Sequence, residues 1–269
     1  MARRGTDPDI LRSMANEIRR KREITQSLSL ASRRQKYMLP KDITVPGYDL
    51  AHVYLPCDAV SGDFYDIVPL EDGHEVAMFI GDVSGHGIEA ALFMGMGKMA
   101  MGIFARQHRV PSEVLAHAND ELAEDLDSET FITGLYALLD AQTGKLSVGR
   151  AGHPKPVIFN PRRSPKWSYV EAKGLVLGMA KGPVFRKSLA EAELVLAPGD
   201  LFFLYTDGLV EAHDEHNEAF GNDRMLEIIE KHGSRSPQEI IDALVREVEG
   251  FLSGKPLGDD VTLIALKRK

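Results

Sequence analysis

This 269-residue sequence predicts an α+β fold rich in antiparallel strands, with a helical extension at its N-terminus. Short apolar runs bounded by Gly, Pro and Asp recur from Tyr48 to the C-terminus, at strand length rather than helix length. Tight connections such as Asp140-Ala141-Gln142-Thr143-Gly144 join them as hairpins do. Residues 8–36, by contrast, contain no internal Pro or Gly, and their apolar residues are spaced for a helix.

In that first segment Leu11, Met14, Ile18, Thr25 and Leu28 stand at approximately heptad spacing, with Lys21 interrupting. The heptad lapses at Ser32 and Gln35, so the segment reads as a helix that docks on something rather than a stable coiled coil. Pro40 and Val45-Pro46-Gly47 close it, giving an extension over 1–41 and a main domain over 42–269. In the main domain Tyr48–Leu55, Asp63–Leu70 and Val76–Val83 read as adjacent antiparallel strands. Then follow a helix to about Gln107, a second from Pro111 to near Asp127, and strands over Thr130–Leu139, Lys145–Ala151 and Pro156–Asn160. A basic surface loop, Pro161–Pro165, leads to shorter β-like pieces and then to Leu201–Tyr205, a fully apolar strand. Helices follow over Asp223–Lys231 and from Ser236-Pro237-Gln238-Glu239, where a capping box is joined to a proline at the first helical position. Val261–Leu266 is the last strand, and the order of strands within the sheets is not legible.

Composition narrows the class. With 43% hydrophobic residues the chain can bury a sizeable core. No uninterrupted apolar run approaches the ~20 residues that cross a bilayer, and no apolar stretch follows the basic N-terminus. The single cysteine, Cys57, cannot form an internal disulfide, and a cytoplasmic location is expected. Residues 1–41 carry eleven Lys or Arg against four Asp or Glu, which leaves 21 basic and 36 acidic residues in 42–269. So acidic a body excludes nucleic acid as its partner, and the basic charges of the extension, interleaved with apolar residues, read as a solvated helix face.

Four acidic positions share one placement, the end of a strand. Asp63 precedes FYDIV, Asp82 follows VAMFI, Asp207 follows LFFLYT, and Asp259-Asp260 precede VTLIAL. Singly each has a bland reading: Asp82 as a loop or helix cap, Asp207-Gly208 as a turn dipeptide, Asp259 as a cap. If the strand ends converge, mutual repulsion keeps some of these acids protonated unless a cation neutralises them. Oxygen-only ligands suit Mg²⁺ or Mn²⁺ rather than zinc. Gly81, Gly85 and Gly87 around Asp82 allow close backbone approach to a ligand.

The ordered motifs SGDFYD (61–66), GDVSGHG (81–87), AGHPKP (151–156), LVLGM (175–179), YTDGLVEA (205–212) and GDDVTLIAL (258–266) resemble those of the metal-dependent (type 2C) serine/threonine phosphatases. The similarity covers about 42–269 and is to the bacterial SpoIIE/RsbU-type branch. It implies an α-β-β-α sandwich of two antiparallel sheets flanked by helices, with two divalent ions, Mn²⁺ or Mg²⁺, at one edge. By position, Asp82 resembles the carboxylate bridging both metals, Val83 the residue giving a backbone carbonyl, Asp207 and Asp259 the other direct ligands, and Asp63 the acid holding metal-bound water. Whether Asp259 or Asp260 is the ligand stays open, the first matching the usual position. Ser84 stands where eukaryotic relatives carry a proton-donating histidine, so His86 is the candidate acid, with a structural loop role as its alternative. His153 reads as structural, Arg150 stands where the branch often has asparagine, and no arginine is evident near Asp63 to grip phosphate.

Cys57 is no phosphatase nucleophile, because Asp63 occupies the place of the arginine that the C-x5-R loop needs. Gly95-x-Gly97-x-x-Ala100 lies within a helix, not at the start of one, and so is not a dinucleotide fingerprint. The resemblance implies a protein serine/threonine phosphatase whose substrate is a phosphoserine on a STAS-type anti-sigma-factor antagonist in a partner-switching pathway. The alternative is a catalytically silent phosphatase-fold adaptor, which loss of a metal acid would mark; every such acid is present. The extension is expected to serve self-association or to receive a regulator.

Overall fold

The computed structural model describes residues 8–40, 43–71 and 73–269. The chain forms two units, one ending at Met38 and one running from Leu39 to Lys269. The first contains a single helix, α1 (Pro8–Met38), as an uninterrupted Pro- and Gly-free stretch after Pro8 allows. Glu17 pairs with Lys21 at 3.2 Å, and Met14, Ile18, Ile24 and Leu30 are exposed. The side chain of Leu11, and residues 1–7 and 41–42 around the expected boundary, lie outside the described residues.

The second unit runs β1 (Tyr48–Leu55), β2 (Phe64–Pro69), β3 (Glu75–Val83), α2 (Ile88–Gln107), α3 (Pro111–Asp125), β4 (Ile132–Asp140), β5 (Lys145–Ala151), β6 (Val157–Phe159), β7 (Trp167–Tyr169), α4 (Gly182–Ser188), β8 (Ala192–Val195), β9 (Leu201–Tyr205), α5 (Gly221–His232), α6 (Pro237–Leu252) and β10 (Val261–Arg268). Two antiparallel sheets result, one in the order β1-β10-β9-β6-β7 and the other β2-β3-β4-β5-β8. They pack face to face with helices outside, as the α-β-β-α expectation has it: α2 and α3 lie on β2–β5, and α6 lies on β1 and β10.

Period-two alternation explains the layers. In β9, Phe202 and Leu204 join the core between the sheets, while Leu201, Phe203 and Tyr205 meet α5 and α6. A strand buried on both faces reads as a continuous apolar run. The capping box of α6 is formed: Ser236 Oγ accepts the Glu239 N–H at 3.3 Å, and a Glu239 carboxylate oxygen accepts the Ser236 N–H at 3.1 Å. Among the described residues α2 is the one helix long and apolar enough to cross a membrane. Its Ala90, Met94, Met101 and Ala105 are buried, while Leu92, Met99 and Ile103 are exposed.

Two expectations are corrected. β1 is not beside β2; it pairs along its whole length with β10, from Tyr48 opposite Arg268 to Leu55 opposite Val261. The connection 56–63 is longer than a hairpin loop and carries the chain to the other sheet, where the Asp260 carboxylate accepts the N–H groups of Cys57 and Gly62, each at 2.8 Å. The region of β-like pieces also contains α4, which buries Phe185. At seven residues it is too short for helical periodicity to register.

Candidate metal centre

Strand pairing brings the acids to one end of each sheet. Phe64 lies opposite Gly81, so Asp63, just before β2, and Asp82, just after Gly81, share an edge. In the other sheet Tyr205 lies opposite Leu263, and the Thr206 N–H donates to the Thr262 carbonyl at 3.0 Å, which sets Asp207 beside Asp259-Asp260. Side chains join the two edges: the hydroxyls of Thr206 and Thr262 donate to Oδ2 of Asp63 at 2.8 and 2.6 Å. A single 3-10 turn, Asp207–Leu209, turns the chain after β9. A Cβ on Gly208 would collide with the carbonyl of Asp260, so only glycine lets this turn pack so closely. Gly87, at φ 82°, precedes α2 in a conformation that also favours glycine.

The electrostatics are those of crowded carboxylates. Burial, then the charge of Asp82, holds Asp63 well above the ordinary carboxylate range, against the lowering pull of the threonine hydroxyls. Burial, then the charges of Asp207, Asp259 and Asp260, pushes Asp82 up to about 8. Asp207 and Asp259 are raised too, each chiefly by burial. Oδ1 of Asp63 is buried with no N–H or hydroxyl donor among the described residues. An orphaned buried carboxylate oxygen within a cluster of mutually repelling acids fits a hard divalent cation.

The acids differ in what they are free to do. Asp260 is 2% exposed and spends both oxygens on backbone N–H groups. Asp259 is half-buried, with Oδ1 accepting the Asp260 N–H at 2.8 Å. Val83 has a buried side chain, and its carbonyl lies against Gly62, where a Cβ would stand 3.0 Å from it. His86 is on the exposed loop after Asp82, with Nδ1 3.2 Å from Asp58. His153 is 1% exposed, its Nδ1 2.8 Å from the Thr133 hydroxyl, and burial followed by the Arg150 charge lowers its pKa to about 3. It is therefore a neutral core residue.

Sequence reasoning passed over three neighbours of the acids. Cys57 has its sulfur within 4.8 Å of carboxylate oxygens of Asp259 and Asp260, and burial followed by the Asp260 charge pushes its thiol up to about 12. The others are Thr206 and Thr262, whose signal was a hydroxyl residue flanking each acidic motif. A cleft of about 480 Å³ adjoins Asp207, lined by Thr133, Arg150, Lys155, Tyr169 and Asn222 among others. Arg150 reaches it with Nε and Nη1 donated to the carbonyls of Ala172 and His153, each at 2.8 Å.

The metal-free protein should lose stability as pH rises. Asp82 titrates higher in the folded chain than in the unfolded one, and above about pH 6.5, where the buried neutral His153 no longer opposes it, the folded state binds more protons up to about pH 8. In EDTA the melting temperature should fall across that window, and Asp82→Asn should flatten the fall. A melting temperature that rises from about pH 6.5 to about pH 8 in EDTA would contradict the acid cluster.

Residues 72–269 match the family described as Stage II sporulation protein E (SpoIIE). The chain is 31% identical over 252 residues to the phosphoserine phosphatase RsbU of Bacillus subtilis, covering 92% of this chain and 71% of that protein. Among solved structures it is similar to the SiaA PP2C domain of Pseudomonas aeruginosa, with a TM-score of 0.80 at 23% identity over 93% of this chain and 98% of that one. It is also similar to the RsbU and RsbW domains of Rv1364c from Mycobacterium tuberculosis, with a TM-score of 0.69 at 29% identity over 86% of this chain and 62% of that one.

Proposed function

The chain belongs to the SpoIIE family and is a protein serine/threonine phosphatase; from that premise we propose that it uses two divalent cations, Mn²⁺ or Mg²⁺, to dephosphorylate a STAS-type anti-sigma-factor antagonist in a cytoplasmic partner-switching pathway. The observation that carries the metal reading is the meeting of Asp82, hydrogen-bonded to Asp63 on its own sheet, with Asp207 and Asp259 from the other sheet, whose charges it feels. Asp82, the Val83 carbonyl, Asp207 and Asp259 would hold the cations, with Asp63 behind them. Asp260, with both oxygens committed to the 56–63 connection, supports the choice of Asp259. When bound, such cations supply an acidified water and neutralise charge on a phosphoryl group.

The chain's own residues do the rest. Asp82 and Asp207, both held above their ordinary range by burial, would give up their protons when a cation binds, and so favour a cation over a neutral ligand. The cleft beside Asp207 offers Lys155, Tyr169 and Asn222 to the polypeptide around the phosphorylated residue. His86, exposed and 3.2 Å from Asp58, is the candidate proton donor to the leaving serine oxygen. We assign residues 42–269 to the phosphatase domain and 1–41 to a regulatory or dimerising extension.

Phosphorylated STAS-domain proteins incubated with the purified chain and Mn²⁺ should release phosphate in stoichiometric amount, and a chain lacking residues 1–41 should keep that activity but change in self-association or in response to a regulator. Turnover of an aryl phosphate with no STAS phosphoprotein attacked would overturn the substrate class alone. No turnover with any divalent cation would leave the silent adaptor.

A further inference from the structure

We propose that Thr206 and Thr262 are positioning residues of the metal centre, which hold Asp63 by one oxygen and so set the spacing between the acids of the two sheets. The inference rests on the metal-dependent phosphatase reading above and deepens it. Thr206 immediately precedes Asp207, and Thr262 lies two residues after Asp260, so both belong to the sheet that carries Asp207 and Asp259. Asp63 belongs to the other sheet. The two hydroxyl contacts to its Oδ2, at 2.8 and 2.6 Å, are thus bonds between the sheets at the metal end.

The direction of the Thr206 bond follows from its second partner. Thr206 Oγ1 accepts the Thr262 N–H at 2.9 Å, so its own proton must point elsewhere. Asp63 Oδ2 at 2.8 Å is a better acceptor than the Asp260 carbonyl at 3.4 Å, being both nearer and charged when ionised. With two threonine contacts on Oδ2, Oδ1 is the oxygen left to face Asp82, whose charge acts on Asp63. Asp63 is 1% exposed, and Thr206 and Thr262 are both 0% exposed, so water cannot stand in for a missing hydroxyl. Threonine is β-branched, which restricts χ1 and narrows the directions in which each hydroxyl can point. Groups that orient the acids of a metal site typically change metal affinity by about 10–100-fold when removed.

The test measures Mn²⁺ binding to the full chain by isothermal titration calorimetry, at a temperature well below the melting point of each variant. Thr206→Val and Thr262→Val keep the shape and remove the donor; each should weaken Mn²⁺ binding about tenfold. Thr206→Ser and Thr262→Ser keep the donor and should stay within about threefold of the wild type, a rescue that a role in packing alone would not produce. Valine variants that bind as tightly as the wild type would overturn the proposal, as would serine variants that weaken as much as the valine ones. Should a valine variant fail to fold, alanine and serine at the same position decide: equal losses overturn the assignment, and retention by serine alone supports it. A wild type that binds no Mn²⁺ would overturn the phosphatase reading as well, whereas wild-type binding with indifferent valine variants removes only the role of the threonines.

Discussion

Asp82→Asn is expected to lower turnover at saturating Mn²⁺ by about 10²–10³-fold, the scale on which a single preorganised electrostatic group contributes. The amide keeps the shape of the side chain and loses the charge. Asp82, near the end of β3, feels the charges of Asp207, Asp259 and Asp260 and stands beside Asp63, the central place in the acid cluster. The same substitution relieves repulsion in the metal-free protein, and its melting temperature in EDTA near neutral pH should be unchanged or higher. A variant retaining more than about a tenth of wild-type turnover, a barrier change below ~1.4 kcal/mol, is incompatible with Asp82 bridging the cations.

Asp259→Asn and Asp260→Asn should fail in opposite ways. Asp259 is half-buried with one oxygen committed, so its amide should weaken metal binding and turnover while stability stays near wild type. Asp260 accepts two backbone N–H groups from the connection that carries the chain between the sheets. An amide there turns one acceptor into a donor facing the N–H of Cys57 or Gly62, and should cost about 1–3 kcal/mol of stability in urea unfolding. Part of its activity should survive once the protein is folded. The reverse pattern, a stable and inactive Asp260→Asn beside an active Asp259→Asn, would move the ligand to the second acid.

Local signals of period and punctuation carried the elements. β1, bounded by Pro46-Gly47 and Pro56, and α6, with Ser236 and Glu239, begin where the sequence says they do. What local sequence does not encode is the partner of a strand. β1 meets β10, over 200 residues away, because the 56–63 connection is pinned by Asp260, and nothing between Leu55 and Phe64 reveals that bond. α4 escaped because seven residues give too few turns for a pattern to repeat. At the site, acids at strand ends were visible as a set, since a carboxylate after an apolar run is conspicuous. Thr206 and Thr262 were not, because a threonine beside a strand is ordinary β chemistry until the sheets are stacked. The difference between Asp259 and Asp260 lay in which backbone N–H groups each one meets, a tertiary fact.

Turnover of a phosphoserine protein by the EDTA-stripped chain, measured before and after Mn²⁺ is restored, is the most direct test that the two sheets meet to form a metal-dependent phosphatase centre. The stripped protein should be folded and inactive, and activity should return with Mn²⁺ in wild type but not in Asp82→Asn. Full turnover in the stripped protein would contradict the account.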